Sequence, residues 1–175
     1  MSTKEQDQAE ALRHALIDHV PHAQAIGLEV VYVKKAKACL KVPYAPHLVG
    51  NPDTGVVHGG VITTMLDNAC GVAVQMALDE PSSIATLDLR IDYMGPATPG
   101  RDILGEAHCY KVTKSVAFVR GVAFHDDRDD PIGTCHGAFM LAANRAVAPS
   151  SQIRRHVMKG ERPNAPDTGS TGGEG

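Results

Sequence analysis

From residue 58 to about residue 78 the chain carries apolar side chains on nearly every side of a helix: Val61, Ile62, Met65, Leu66, Ala69, Cys70, Val72, Ala73 and Met76. A helix with one apolar stripe can lie on a surface, whereas a helix that is apolar all round has to be enclosed. This segment therefore calls for a fold that wraps a helix, and Glu80-Pro81-Ser82-Ser83 ends it.

The wrapping material lies on both sides of it. Strand-like segments follow at 84–94, 102–112, 115–125 and 131–142. The first alternates, with Leu87, Leu89, Ile91 and Tyr93 on one face and Thr86, Asp88, Arg90 and Asp92 on the other. Their connectors are turn chemistry: Gly95-Pro96, Pro99-Gly100, Thr113-Lys114 and the charged run 126–130. His125-Asp126-Asp127 reads as a solvated hairpin tip rather than a ligand set. Two earlier strands are expected at 28–33 and 38–42, joined by a Lys-rich step, and then a loop over 43–57 rich in Pro and Gly. Four consecutive hairpin-linked strands make an antiparallel sheet. The expected class is α+β, an antiparallel sheet wrapped around one long central helix.

At 175 residues the chain is the size of one domain. Ala9, Leu12, Leu16 and Val20 fall at helical spacing, so an amphipathic helix is expected in the N-terminal segment 1–24, ended by Pro21. The main domain is placed at 25–148. The segment 149–175 is basic at Arg154-Arg155, then Gly-, Pro- and Ser-rich, and is expected to be a flexible tail.

Several functions are disfavoured. A net charge of −3, 4% aromatic residues and no Trp speak against a nucleic-acid surface. The longest stretch free of Asp, Glu, Lys and Arg runs from residue 131 to residue 144, short of the ~20 residues a spanning helix needs. Residues 1–7 are charged with no apolar core after them, so no secretory signal is read. The four cysteines (Cys39, Cys70, Cys109, Cys135) are far apart in sequence and sit in apolar runs without metal-ligand spacing. They read as buried reduced thiols, as expected of a cytoplasmic protein with no metal site.

The chemistry concentrates between Asn51 and Asn68. Gly59 and Gly60 open the apolar helix directly after His58. Free N–H groups at a helix start stabilise negative charge, and glycine lets a ligand approach the backbone. His58-Gly59-Gly60 can thus hold a carbonyl oxygen that becomes an oxyanion. Asp67, followed by Asn68, lies two turns into the helix, where a buried carboxylate is costly unless it has a partner or a task. Gly59 and Asp67 are eight residues apart, roughly 12 Å along one helix, while reacting groups must meet within ~3–3.5 Å. A shared site then requires Gly59 from one copy and Asp67 from another, in a twofold dimer.

The combination His58-Gly59-Gly60…Asp67 with Thr86-Leu87-Asp88-Leu89…Tyr93…Pro96-Ala97 resembles the hotdog-fold acyl-CoA thioesterases, in their phenylacetyl-CoA thioesterase-like branch. The likeness covers residues 25–142. It implies a hotdog fold and hydrolysis of an acyl- or aryl-CoA to free acid and CoA. No metal and no cofactor is implied beyond the CoA of the substrate. The Gly59 N–H would polarise the thioester carbonyl, and Asp67 of the partner subunit would act as nucleophile or general base. Thr86 would position Asp67 or water, and Asn51 and His58 would line the thioester. Gly60 and Asn68 are further candidate substrate contacts, and Lys114 and Ser115 are candidates for the CoA end. The spacing from Asn51 to His58 is longer than the family's usual one. The same resemblance implies a homodimer as the minimum active unit, and two dimers packed as a tetramer. The pocket walls are expected from Met65, Leu66, Leu87, Tyr93 and residues 44–49. Two other activities fit the same fold. One is a hydratase working through His58; the other is a non-catalytic acyl-CoA or acyl-carrier binding protein, against which the presence of Asp67 weighs.

Overall fold

The computed structural model describes residue 18 and residues 20–142. The tail at 149–175 and nearly all of the amphipathic helix expected over 4–20 lie outside the described residues. Pro21 begins a helix, α1 (Pro21–Ala25). Proline suits the first helical position, where its missing N–H has no intrahelical partner to lose.

Strands β1 (Glu29–Lys34) and β2 (Lys37–Val42) form the first hairpin. Residues 43–57, expected as loop, hold a single 3-10 turn (Pro46–Leu48) and a short hairpin of β3 (Val49–Asn51) and β4 (Val56–Val57). Its tip is closed by Asn51, whose Oδ1 accepts from the Asp53 N–H at 3.0 Å and whose carbonyl accepts from the Gly55 N–H at 2.9 Å. Gly55 takes φ 74°, a left-handed conformation that costs glycine little. The long helix α2 (Gly59–Gln75) follows, somewhat shorter than the apolar run.

The rest of the sheet is β5 (Ile84–Tyr93), β6 (Ile103–Val112), β7 (Val116–Phe124) and β8 (Gly133–Leu141). The order is β1-β2-β6-β7-β8-β5, with every neighbouring pair antiparallel. One expectation changes here. The link from β5 to β6 is not a hairpin: β6 joins β2, and β5 takes the edge beyond β8. The strands thus form one curved layer with α2 against it. Met65, Leu66, Ala69, Cys70, Ala73 and Val74 are fully buried in the contact. The helix is not covered all round, however. Thr63 is exposed, and Thr64, Asp67, Asn68 and Gly71 are half-buried along an open strip beside β5.

Strand β5 also departs from simple alternation. Thr86 is opposite Phe139 and Asp88 opposite Ala138, so Leu87 is an extra residue, a β-bulge. The bulge puts Thr86 on the same face as Leu89, Ile91 and Tyr93, and leaves Leu87 56% exposed.

Candidate active site

The start of α2 is built around His58. Its backbone is extended (φ −63°, ψ 133°), and its Nδ1 accepts from the Gly60 N–H at 2.9 Å. The imidazole acts as the helix cap, a place where a side-chain acceptor satisfies a free N–H. Because Nδ1 accepts, the proton of the neutral ring sits on Nε2. The Val61 N–H is taken by the His58 carbonyl at 2.9 Å. The Gly59 N–H makes no hydrogen bond among the described residues. Of the two glycines, Gly59 is therefore the one with a donor to offer, while that of Gly60 is already engaged.

Gly59 is also the point where β5 meets the helix. The Tyr93 hydroxyl donates to the Gly59 carbonyl at 2.8 Å and lies 2.8 Å from Thr63 Oγ1. A side chain at position 59 would place its Cβ 3.3 Å from the Tyr93 oxygen. Tyr93 thus fixes the peptide that carries the candidate donor. Thr63 adds a second bond to the same carbonyl at 3.2 Å.

Two turns on, Thr86 Oγ1 donates to Asp67 Oδ1 at 2.9 Å. The bulge at Leu87 is what lets Thr86 and Tyr93 both face α2. Asp67 is half-buried rather than buried, and Thr86 is exposed. The carboxylate is thus held in one orientation while its other oxygen stays open, which suits a group that must meet a substrate or a water. The structure does not bring Asp67 to Gly59 within one chain. They lie at separate stations of the same open strip, one under Tyr93 and one under Thr86.

The other candidates are placed as follows. The Asn51 side chain is exposed at the β3–β4 tip, with its oxygen in the turn. Asn68 is tied to its own helix, donating to the Thr64 carbonyl at 2.8 Å. Lys114 and Ser115 are exposed in the β6–β7 turn; the register Thr86–Phe139–Ala117–Val112 puts that turn at the Thr86 end of the sheet, two strands away. Met65 and Leu66 are core residues with no exposed surface and cannot line a pocket. A groove of about 540 Å³ does open beside the start of α2, with Ile26, Leu48, Val49 and Val61 as apolar walls and His22 and His58 at its edge. Among the expected wall residues 44–49, His47, Leu48 and Val49 do line it.

His125 has both ring nitrogens occupied: Nδ1 donates to the Asp102 carbonyl at 2.7 Å and Nε2 accepts from the Thr98 N–H at 2.8 Å. It is 8% exposed and ties two loops together. Among the described residues no group of three His, Cys, Asp or Glu side chains is arranged to hold a metal ion.

Sequence reasoning missed Tyr93 as a hydrogen-bonding residue, and it missed Thr63 altogether. Both act on a backbone carbonyl, which has no signature in residue spacing.

Residues 54–132 match the sequence model of the thioesterase superfamily. The chain is 31% identical over 136 residues to the medium/long-chain acyl-CoA thioesterase YigI of Salmonella typhimurium, a match covering 70% of this chain and 86% of that one. A crystal structure of a Pseudomonas aeruginosa protein is similar at 43% identity and a TM-score of 0.68, over 74% of this chain and 96% of that one. The Escherichia coli PaaI protein from the phenylacetic acid degradation operon shares the fold, with a TM-score of 0.69 at 15% identity over 79% and 96% of the two chains.

Proposed function

The chain belongs to the thioesterase superfamily, and from that membership we propose that it hydrolyses acyl-CoA thioesters to a free acid and CoA. The observation that carries the reading is the open strip of α2. It presents an unoccupied N–H at Gly59 and an oriented carboxylate at Asp67, the two parts that thioester hydrolysis needs.

In this scheme the thioester carbonyl lies against the Gly59 N–H at the positive end of α2. Charge developing on that oxygen is stabilised there. Asp67 of a second copy either takes a proton from the water that attacks the carbonyl carbon, or attacks it directly to give a mixed anhydride that water then hydrolyses; CoA leaves as the thiolate and takes up the proton that the water gives up. Thr86 holds the carboxylate. His58 shapes the helix start and borders the apolar groove, which takes the acyl group. Gly60 acts through backbone shape, its N–H being held by His58, while Asn51 and Asn68 each keep one amide atom, Nδ2 and Oδ1 respectively, to offer a substrate. Lys114 and Ser115 are candidates for the nucleotide end of CoA. The reaction requires no resident metal or cofactor.

The minimum active unit is a homodimer, joined so that the two α2 helices lie side by side. Support comes from β5, a ten-residue edge strand flanking both stations, with Leu87 56%, Tyr93 52% and Met94 61% exposed. A long edge of this kind invites pairing with another chain. Two dimers form the tetramer, and the protein works in the cytoplasm. Among the described residues no helix is long and apolar enough to cross a membrane.

The test is a hydrolysis screen over acyl-CoA esters of graded chain length and over aryl-CoAs, run on the wild type and on Asp67→Ala. Turnover of at least one ester that Asp67→Ala lacks is the expected result. Tight binding of the esters without turnover would favour a binding protein instead.

A further inference from the structure

The apolar groove beside the start of α2 is walled on one side by α1, a helix of only five residues. So short a helix does not hold itself together. It keeps its place through Ala23 and Ile26, which are buried in the core, and through two histidines. His47 Nε2 donates to the Ala25 carbonyl at 3.0 Å, at the end of α1. His22 Nε2 lies 3.2 Å from Thr64 Oγ1 on α2.

The direction of that second bond follows from its neighbour. Thr64 Oγ1 donates to the Gly60 carbonyl at 3.0 Å. A hydroxyl has one proton to give, so toward His22 it accepts, and the ring donates from Nε2. The bonds therefore run one way, from the His22 imidazole through the Thr64 hydroxyl to the first turn of α2. His22 and Thr64 both line the groove, so their bond joins its two walls as a polar bar.

The bar stands at a defined depth. Along α2 the groove passes Gly60 and Val61 and reaches Thr64. Thr64 is five residues beyond Gly59, which is ~7.5 Å along the helix axis. An extended hydrocarbon chain, with C–C bonds of ~1.5 Å set in a zigzag, covers that span in roughly six carbons. A longer chain has to part His22 from Thr64 and leave both polar groups against methylenes, which costs the bond and their hydration. His22 precedes the stretch 54–132 that matches the thioesterase superfamily, so membership of that family does not assign it a role.

We propose that His22, held across the groove by Thr64, sets the upper limit of acyl length, admitting straight chains of about six to eight carbons and refusing longer ones. The inference rests on the thioesterase reading and on the groove as the acyl site. His22 touches no reacting atom in this scheme; it decides which acyl groups reach Gly59.

The test measures kcat/KM for straight-chain acyl-CoA esters from butanoyl to hexadecanoyl, on the full-length wild type and on His22→Ala, Thr64→Val and Lys35→Gln. The wild type should fall off beyond octanoyl. In His22→Ala the ratio of dodecanoyl to hexanoyl should rise roughly tenfold or more, since each newly buried methylene is worth about fourfold. Thr64→Val keeps the side-chain shape and frees the imidazole, so it should shift the ratio in the same direction by less. It also serves as the second variant should His22→Ala not fold. Lys35 sits in the β1–β2 turn, where the Ala36 N–H meets the Met76 carbonyl at the other end of α2, and Lys35→Gln should keep the wild-type profile. Calorimetric binding of the same esters separates this inference from the reading beneath it. Hydrolysis with a length profile that neither His22→Ala nor Thr64→Val moves, or an equal loss at every length, overturns the inference and leaves the thioesterase reading standing. A wild type that turns over hexadecanoyl-CoA as well as hexanoyl-CoA overturns it too. No hydrolysis at any length, with a limit in binding that His22→Ala extends, removes the catalytic reading and supports the bar.

Discussion

Asp67 and Thr86 form a pair in which one group is proposed to react and the other to orient it. Asp67→Asn keeps the side-chain volume and removes the acid–base function, so kcat for thioester hydrolysis should fall on the order of 10²–10⁴ with the melting temperature nearly unchanged. Thr86→Ala removes one hydrogen bond, worth ~0.5–1.5 kcal/mol net, and should cost no more than about tenfold in kcat. Steady-state thiol release measures both, and a larger loss for Thr86→Ala than for Asp67→Asn would reverse the roles. Gly59 and Asp67 stand out as candidates through motif and spacing, and Thr86 through the family resemblance alone. The openness of Asp67 was not, since it depends on which strip of α2 the sheet leaves uncovered. Tyr93 was legible only as an aromatic residue; that its hydroxyl reaches the Gly59 carbonyl depends on where the bulge sets the strand.

The elements themselves were readable from periodicity: α2 and the six long strands fall within a few residues of their expected ranges. What periodicity could not carry was which strands pair. The segments 84–94 and 102–112 look like neighbours because a turn-rich link joins them, yet pairing is decided by how the sheet closes over α2, and β6 joins β2. The bulge is hidden for a related reason, since Leu87 continues an unbroken alternation and only the partner strand shows that it is surplus. The close fit of strand to helix gives a prediction at this scale. A Cβ at Gly121 on β7 would stand 2.8 Å from Cys135 Sγ and 3.1 Å from the Glu106 carbonyl oxygen. Gly121→Ala should destabilise the fold by roughly 1–3 kcal/mol, the usual cost of overpacking. Chemical denaturation should show this as a lower midpoint at constant slope.

For the whole molecule, the four thiols report on integrity. Cys39, Cys70, Cys109 and Cys135 are all free and buried. Burial, with help from Glu106, pushes the Cys39 thiol up to about 11. Cys135 is pulled down, chiefly by its hydrogen bond with Cys70 3.7 Å away, but is only 1% exposed. A thiol reagent at neutral pH should therefore label none of them quickly in the native protein and all four in denaturant. Assembly is tested by mixing Gly59→Val with Asp67→Asn. At equal mixing half the dimers are mixed and each holds one intact site of two, so recovery should approach roughly a quarter of wild-type activity. No recovery, with mixed dimers shown to form, would place the site within one chain.

The eight residues of helix between Gly59 and Asp67 have one more consequence for the proposed dimer. A chain on its own carries the donor and the carboxylate too far apart to use them together, so it is catalytically silent. Turnover per chain should then drop as the protein is diluted through the dissociation constant of the dimer. Near that concentration, halving the number of chains removes more than half of the hydrolysis. The abundance of the protein thereby becomes a throttle on its own output, set by the pitch of a helix and needing no effector.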